Sequence, residues 1–249
     1  MKNLIDVHNH TVASGHAYNS YGEMCEAAAA KGIQYYAITE HAPTMPGTCE
    51  AMYFTNFHVI DRNAYGLNLM NGAEVNIINT DGDLDLTPRI LAMQDIIIVS
   101  LHSPTFNGNR DLESCTSAVI NAMRNPYTHI LGHPDDGQFP LDYDAVIRVA
   151  AEEGIIIEMN DASFSPWSYR KNCRENARIY LERCFHYNVP VILNSDAHFC
   201  SKTGCIDFAK EVIEENDFPE SLILNDKPEQ FMDMINKRRR SWGGEPIIF

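Results

Sequence analysis

Short apolar, β-branched runs alternate with helical patterns along the whole 249-residue chain, and this alternation limits the fold more than any other feature. Leu4 to Val7 reads as a strand. Ser20-Tyr21-Gly22-Glu23 then forms a capping box opening an alanine-rich helix that Gly32 closes. Tyr35 to Thr39 is the next strand, Leu67 to Ala73 a weaker one ending at Glu74, and Ile96 to Ser100 a strong one because it is β-branched almost throughout. His129 to Gly132, Ile155 to Met159 and Val189 to Asn194 follow as strands, with Leu222 to Leu224 as a short last one. Helices are expected over Asp142 to Glu153, Arg174 to Tyr187, Cys205 to Glu215 and Pro228 to Lys237. Strands buried on both faces and separated by helical crossovers imply a parallel sheet. Seven or eight such units without a Pro/Gly/Ser-rich linker predict an α/β fold: one closed barrel, a single domain spanning residues 1–249. Pro43 to Asn63 is the least regular stretch and reads as a long loop, a kind of segment that tends to carry function.

Composition narrows the partners. With 19 Lys+Arg against 34 Asp+Glu the formal charge is −15, which disfavours a nucleic-acid backbone or an anionic membrane as a ligand. The one dense basic run, Lys237 to Arg240, reads as the last turn of a helix, where cations suit the dipole. No apolar stretch of about 18 residues exists to span a bilayer, and Asp6 comes too early for a secretory core, so a cytoplasmic protein is expected. The seven cysteines are scattered, odd in number and lack any C-x-x-C pair, consistent with reduced thiols.

The ten histidines supply the chemistry. His8 and His10 end the first strand, and His41 follows the second. His102, His133 and His198 come just past the fourth, fifth and seventh, Asp196 lies two residues before His198, and Glu74 ends the third. In a parallel barrel these positions share the C-terminal rim. Alternate residues on a strand face the same side, so the pairs His8/His10 and Asp196/His198 can each chelate one ion. This many imidazoles and carboxylates exceed one ion's needs and imply two or three. Such a centre suits hydrolysis by a water that loses its proton between closely spaced ions. No G-x-G-x-x-G, P-loop or G-x-S-x-G is present, so no catalytic residue is expected beyond the metal-held hydroxide.

Asp6-Val7-His8-Asn9-His10-Thr11, Ala37-Ile38-Thr39-Glu40-His41, Gly72-Ala73-Glu74, Ser100-Leu101-His102, Gly132-His133-Pro134 and Asn194-Ser195-Asp196-Ala197-His198 resemble, in order, the motifs of the PHP (polymerase and histidinol phosphatase) superfamily. The segments His10 to Tyr18, Glu158 to Phe164 and Asn172 to Glu175 look most like the stand-alone YcdX-type phosphatases. The resemblance implies a distorted seven-stranded (β/α)7, TIM-like barrel with a trinuclear centre. His8, His10, Glu74 and Asp196 would hold one metal, Glu74 bridging to a second held by His102 and His133. His16, His41 and His198 would hold the third. The three divalent ions would be Zn2+, with Mn2+ or Fe as alternatives. Glu40 departs from the family, which usually has Asp there. His58, His129 and His186 fall outside the pattern and read as structural.

The activity implied is hydrolysis of small-molecule phosphomonoesters. The alternatives are a histidinol-phosphate phosphatase, a phosphodiesterase or nuclease, and a metal-binding scaffold without activity. Asp6 and Glu40 are candidate partners of the imidazoles, and Arg170 and Lys171 candidate phosphate-facing cations. Thr44 to Phe57 and Ser163 to Lys171 are the expected specificity loops. The expected partner is a small phosphorylated metabolite, with no nucleic acid and no membrane, and the protein is expected to be a homo-oligomer.

Overall fold

Seven parallel strands follow one another in chain order: β1 (Ile5–Asp6), β2 (Tyr35–His41), β3 (Asn68–Asn76), β4 (Ile96–Ser100), β5 (Ile130–Leu131), β6 (Ile156–Asn160) and β7 (Val191–Asn194). The structure, a computed structural model, describes residues 1–249. The helices are α1 (Tyr21–Ala30), α2 (Pro88–Leu91), α3 (Leu112–Arg124), α4 (Tyr143–Glu153), α5 (Asp161–Phe164), α6 (Cys173–Tyr187), α7 (Asp207–Glu215) and α8 (Pro228–Ser241). β7 returns to β1 through the parallel bridge Asn9–Ala197. His10 N donates to Ala197 O at 2.9 Å and Val7 N to Asn194 Oδ1 at 3.0 Å. The result is the nearly closed, distorted (β/α)7 barrel that the alternation predicts. No helix is long and apolar enough to cross a membrane, and all seven cysteines are free.

Local chemistry accounts for most boundaries. Ser20 and Glu23 form the expected reciprocal cap on α1; Asp142 caps α4, which Gly154 ends at φ 71°. Four expectations need correction. β3 runs on to Asn76, so Glu74 lies within the strand rather than at its end, and His41 is the last residue of β2 rather than past it. Leu222–Leu224 is no strand: Glu220–Leu222 is a 3-10 turn, and only Ile223 bridges to Val191. Helix α3, capped by Asp111 on Ser114 N, has no counterpart in the sequence reading. The Pro43–Asn63 segment is not a plain loop either. It holds the 3-10 turns Tyr53–Thr55 and Phe57–Val59 and buries Phe54 in the core.

The barrel floor is apolar. Ile5, Val7, Met70, Ile98, Ile130, Ile156 and Ile192, drawn from six strands and the end of β1, meet Phe231 and Ile235 of α8, which plugs that end. Each such side chain stabilises the fold by roughly 1.5–3 kcal/mol on burial. Above this layer the inward residues shrink. A Cβ on Gly72 would overlap Ile96 O, and one on Gly132 would meet Ser100 Oγ and Ile98 Cγ2, with Glu158 Oε2 at 3.6 Å. Small residues here let strands approach closely and make room for the buried polar layer beneath the rim.

Candidate metal centre

Strand register assembles the site. β2 pairs with β3 so that His41 lies beside Glu74. Glu74 stands at the middle, its two oxygens facing different imidazoles. Oε1 lies 2.9 Å from His133 Nε2 and 3.2 Å from His102 Nε2, while Oε2 lies 2.6 Å from His41 Nδ1, 3.4 Å from His8 Nε2 and 3.6 Å from His10 Nε2. Asp196 Oδ1 is 3.2 Å from His10 Nε2 and 3.5 Å from His8 Nε2. On the open side, His198 Nε2 and His16 Nε2 are 3.0 Å apart; the His16 ring stacks on His41, and the His198 ring lies tilted beside it. All nine residues singled out in the sequence therefore converge. The tight groups are His8/His10/Glu74, His41/Glu74/His102 and His10/His41/His198. They share members, so the residues form one continuous cluster rather than three separate cages, and His10 is closer to His41 and His198 than the expected partition places it.

The donor atoms fit metal. His8 Nε2, His10 Nε2, His41 Nδ1, Glu74 Oε2 and Asp196 Oδ1 are all buried without a hydrogen-bond partner. The 2.6 Å approach of His41 to Glu74 does not have hydrogen-bond geometry either. Such atoms are costly to bury unsatisfied, and five of them facing one point make a ligand set for divalent ions. Two cluster residues also sit in the left-handed backbone region, His133 at φ 27° and Asp196 at φ 51°, a cost that functional sites commonly carry.

Residues behind the cluster aim it. Glu158 Oε1 accepts from His8 Nδ1 at 2.7 Å and from Asn194 Nδ2 at 2.9 Å. Its Oε2 accepts from His133 N at 2.9 Å and Asn160 Nδ2 at 3.1 Å. Glu158 carries no expected role from the sequence. The available signal was two polar residues, Glu158 and Asn160, on the inward phase of an otherwise apolar strand. Asn76 Oδ1 holds His102 Nδ1 at 2.8 Å. Glu40 reaches His10 only through Ser14, whose hydroxyl donates to Glu40 and lies 3.1 Å from His10 Nδ1. Asp6 touches no imidazole. It accepts from Ser195 N and Oγ and from Gly204 N, tying β7 and the following loop to β1.

Burial opposes charge throughout the cluster, yet the histidines hold the Glu74 and Asp196 carboxyls well below their ordinary range. Burial, with His41 and His198 beside it, pushes His10 well down, and burial with the same neighbours takes His16 to about 4. Ionised carboxylates and neutral imidazoles are the forms that bind metal. His8 is the exception: against burial, Glu158, Glu74 and Asp196 raise it.

A cleft of about 470 Å³ opens over the cluster, lined by His16, His102, His133, Tyr169, Arg170 and Asp196 among others. Arg170 is nearly enclosed. It donates to Asn160 Oδ1 and Ser163 Oγ at 3.0 Å and to Asp196 Oδ2 at 3.2 Å, leaving Nε unpaired. Lys171 is exposed and outside the cleft. Its backbone N and O instead hold Asp136 and Gly137. Of the two expected specificity loops, Ser163–Lys171 contributes Ser165, Trp167, Ser168, Tyr169 and Arg170 to the wall, and Thr44–Phe57 only Met45. His58 and His186 are exposed and His129 is buried at the other end, all three outside the cluster, as the sequence suggests.

A parallel barrel that gathers seven imidazoles and two carboxylates on its C-terminal rim is, by fold and site, a barrel built to hold metal ions. Comparison with known proteins agrees. The PHP domain matches residues 6–162. A probable phosphatase from Thermoanaerobacter sp. (strain X514) is 38% identical over 245 residues, covering 98% of this chain and 99% of its own. Another protein named probable phosphatase, from Caldanaerobacter subterraneus subsp. tengcongensis, is 39% identical over 245 residues, with 97% and 95% covered. In fold, histidinol phosphate phosphatase from Lactococcus lactis, solved with Zn, L-histidinol and phosphate, is similar at a TM-score of 0.62 and 16% identity over 87% of this chain and 95% of that one. The chain belongs to the PHP domain family.

Proposed function

We propose that this protein is a metal-dependent phosphatase acting on small phosphomonoesters. The observation that carries the reading is the set of five buried, unpartnered donor atoms around Glu74, directly beneath a cleft that Arg170 lines. Relatives named probable phosphatase over almost the whole chain support it. His8, His10, Glu74 and Asp196 would hold a first ion, Glu74 with His102 and His133 a second, and His16, His41 and His198 a third. Divalent ions at such a site make water nucleophilic near neutral pH and offset phosphate charge.

The chain's own part is positioning. Arg170 lines the cleft and is fixed by three acceptors, a placement suited to a phosphate oxygen. Glu158 and Asn76 hold His8 and His102 in fixed orientations, so the ligands need not reorganise. The excess of acidic residues elsewhere favours a small anion admitted to one cationic floor over a polyanion lying on the surface. The test is hydrolysis of p-nitrophenyl phosphate, bis-p-nitrophenyl phosphate and a single-stranded oligonucleotide after chelation and restoration of Zn2+ or Mn2+. The monoester should be turned over, and His102→Ala or Asp196→Ala should abolish that turnover and lower bound metal. Hydrolysis of the diester or oligonucleotide alone would make the protein a phosphodiesterase or nuclease instead.

A further inference from the structure

Trp167 stands between two cavities that meet at the cluster. One is the cleft over the metal ligands; the other, about 400 Å³, lies beyond the indole and is lined by Tyr18, Phe199, Phe208 and Lys202, while reaching the same Asp196 and His198. The indole is braced. Phe208 meets it edge-on, with ring centres 5.6 Å apart at 81°, and Lys202 Nζ lies 4.9 Å from its centre. Around this second cavity large aromatic surface faces solvent: Tyr18 is 75% exposed, Trp167 66% and Phe199 49%. Isolated exposed aromatics need no explanation, but three on one cavity that opens onto a reactive centre mark a binding surface.

We propose that this second cavity receives the alcohol part of the substrate, and that this part carries a flat ring. The inference rests on the phosphatase reading, because hydrolysis places the phosphate at the cluster and the alcohol beside it. Continuity through Asp196 and His198 makes the cavity the next space an ester bound at the cluster would enter. Size permits it: an apolar cavity of about 150 Å³ holds benzene, so this one accommodates one or two rings. Chemistry favours a ring over an alkyl chain, since aromatic walls gain stacked and edge-to-face contacts beyond the area they cover. Asp207 and Lys202 offer polar atoms for ring substituents at the edge.

Benzyl phosphate and propyl phosphate, esters of alcohols of similar acidity, test the idea on protein reloaded with Mn2+. The expected kcat/KM for the benzyl ester is about tenfold higher, and Tyr18→Ala and Phe199→Ala, both at exposed positions, should bring that ratio close to one through KM. Equal values in the unaltered protein, or a ratio that both variants leave intact, would overturn the proposal. A binding measurement separates this outcome from failure of the phosphatase reading. In Trp242→Phe protein Trp167 is the sole indole, and benzylphosphonate should quench it at concentrations about tenfold lower than propylphosphonate. Quenching of that kind without hydrolysis of either ester would sustain the pocket and reject the phosphatase; equal quenching, or none, would reject the pocket.

Discussion

His8 turns one ring nitrogen to Glu158 and the other to Glu74 and Asp196, so a single buried carboxylate decides which nitrogen is free for an ion. Four donors converge on Glu158: His8 Nδ1, Asn194 Nδ2, His133 N and Asn160 Nδ2. In a Glu158→Gln variant the amide NH2 would have to face at least one of them. Metal affinity measured by chelator competition should fall about ten- to a hundredfold, and an unchanged affinity would refute the role. At the opposite end His129 is fully enclosed, and burial, reinforced by Arg239 and Arg238, takes its pKa down to about 3. Between that value and the ordinary value near 6.5 the unfolded chain takes up a proton that the folded state refuses. Its contribution to stability is therefore present above about pH 6.5 and is lost as pH falls, at about 1.4 kcal/mol per unit. Urea denaturation of chelated protein at pH 7 and pH 5 should show a smaller acid loss for His129→Gln than for the unaltered chain. Eight of the nine cluster residues were legible because strand ends are visible in a sequence; His16, in the loop after β1, was legible only through the family resemblance. Glu158 was not, because its partner His8 lies 150 positions away, and Asp6, adjacent in sequence to the motif, turned out to serve the loop after β7.

Among the elements, β4 announced itself by composition, whereas β3 carries Asn68, Asn71, Gly72 and Asn76 and is nevertheless the longest strand. Its neighbours on both sides impose extended structure that its own propensities would not. Gly72 shows why the weak residue is there: any side chain would push into Ile96 O on β4. Gly72→Ala should lower stability by about 1–3 kcal/mol in urea unfolding, and loss of less than a few tenths would mean the strands part without cost. α3 is not legible in the sequence because its first turns are Leu112-Glu113-Ser114-Cys115-Thr116-Ser117, rich in residues that favour caps and turns. It exists because Cys115, Ala118, Val119 and Ala122 pack on the barrel.

Across the molecule the barrel is polarised, with an apolar floor under α8 and a charged rim above. The basic run at the end of α8 belongs to that architecture, although its cations do more than match their own helix. Arg238 donates to the carbonyls of Met123, Asn125, Thr128 and Glu153, and Arg239 to those of Gln94, Asp95 and Glu245. The turns leading into β4, β5 and β6 are thereby tied to one helix. The first strand depends on late residues too: Leu4 N donates to Asn225 O, and Asn225 Nδ2 donates to Ile5 O. On a ribosome, then, β1 is made long before β7, Asn225 and the α8 plug that it packs against. Barrel closure is thus a late event with long-range contacts, and the nascent chain holds its apolar floor open to solvent until α8 has been made.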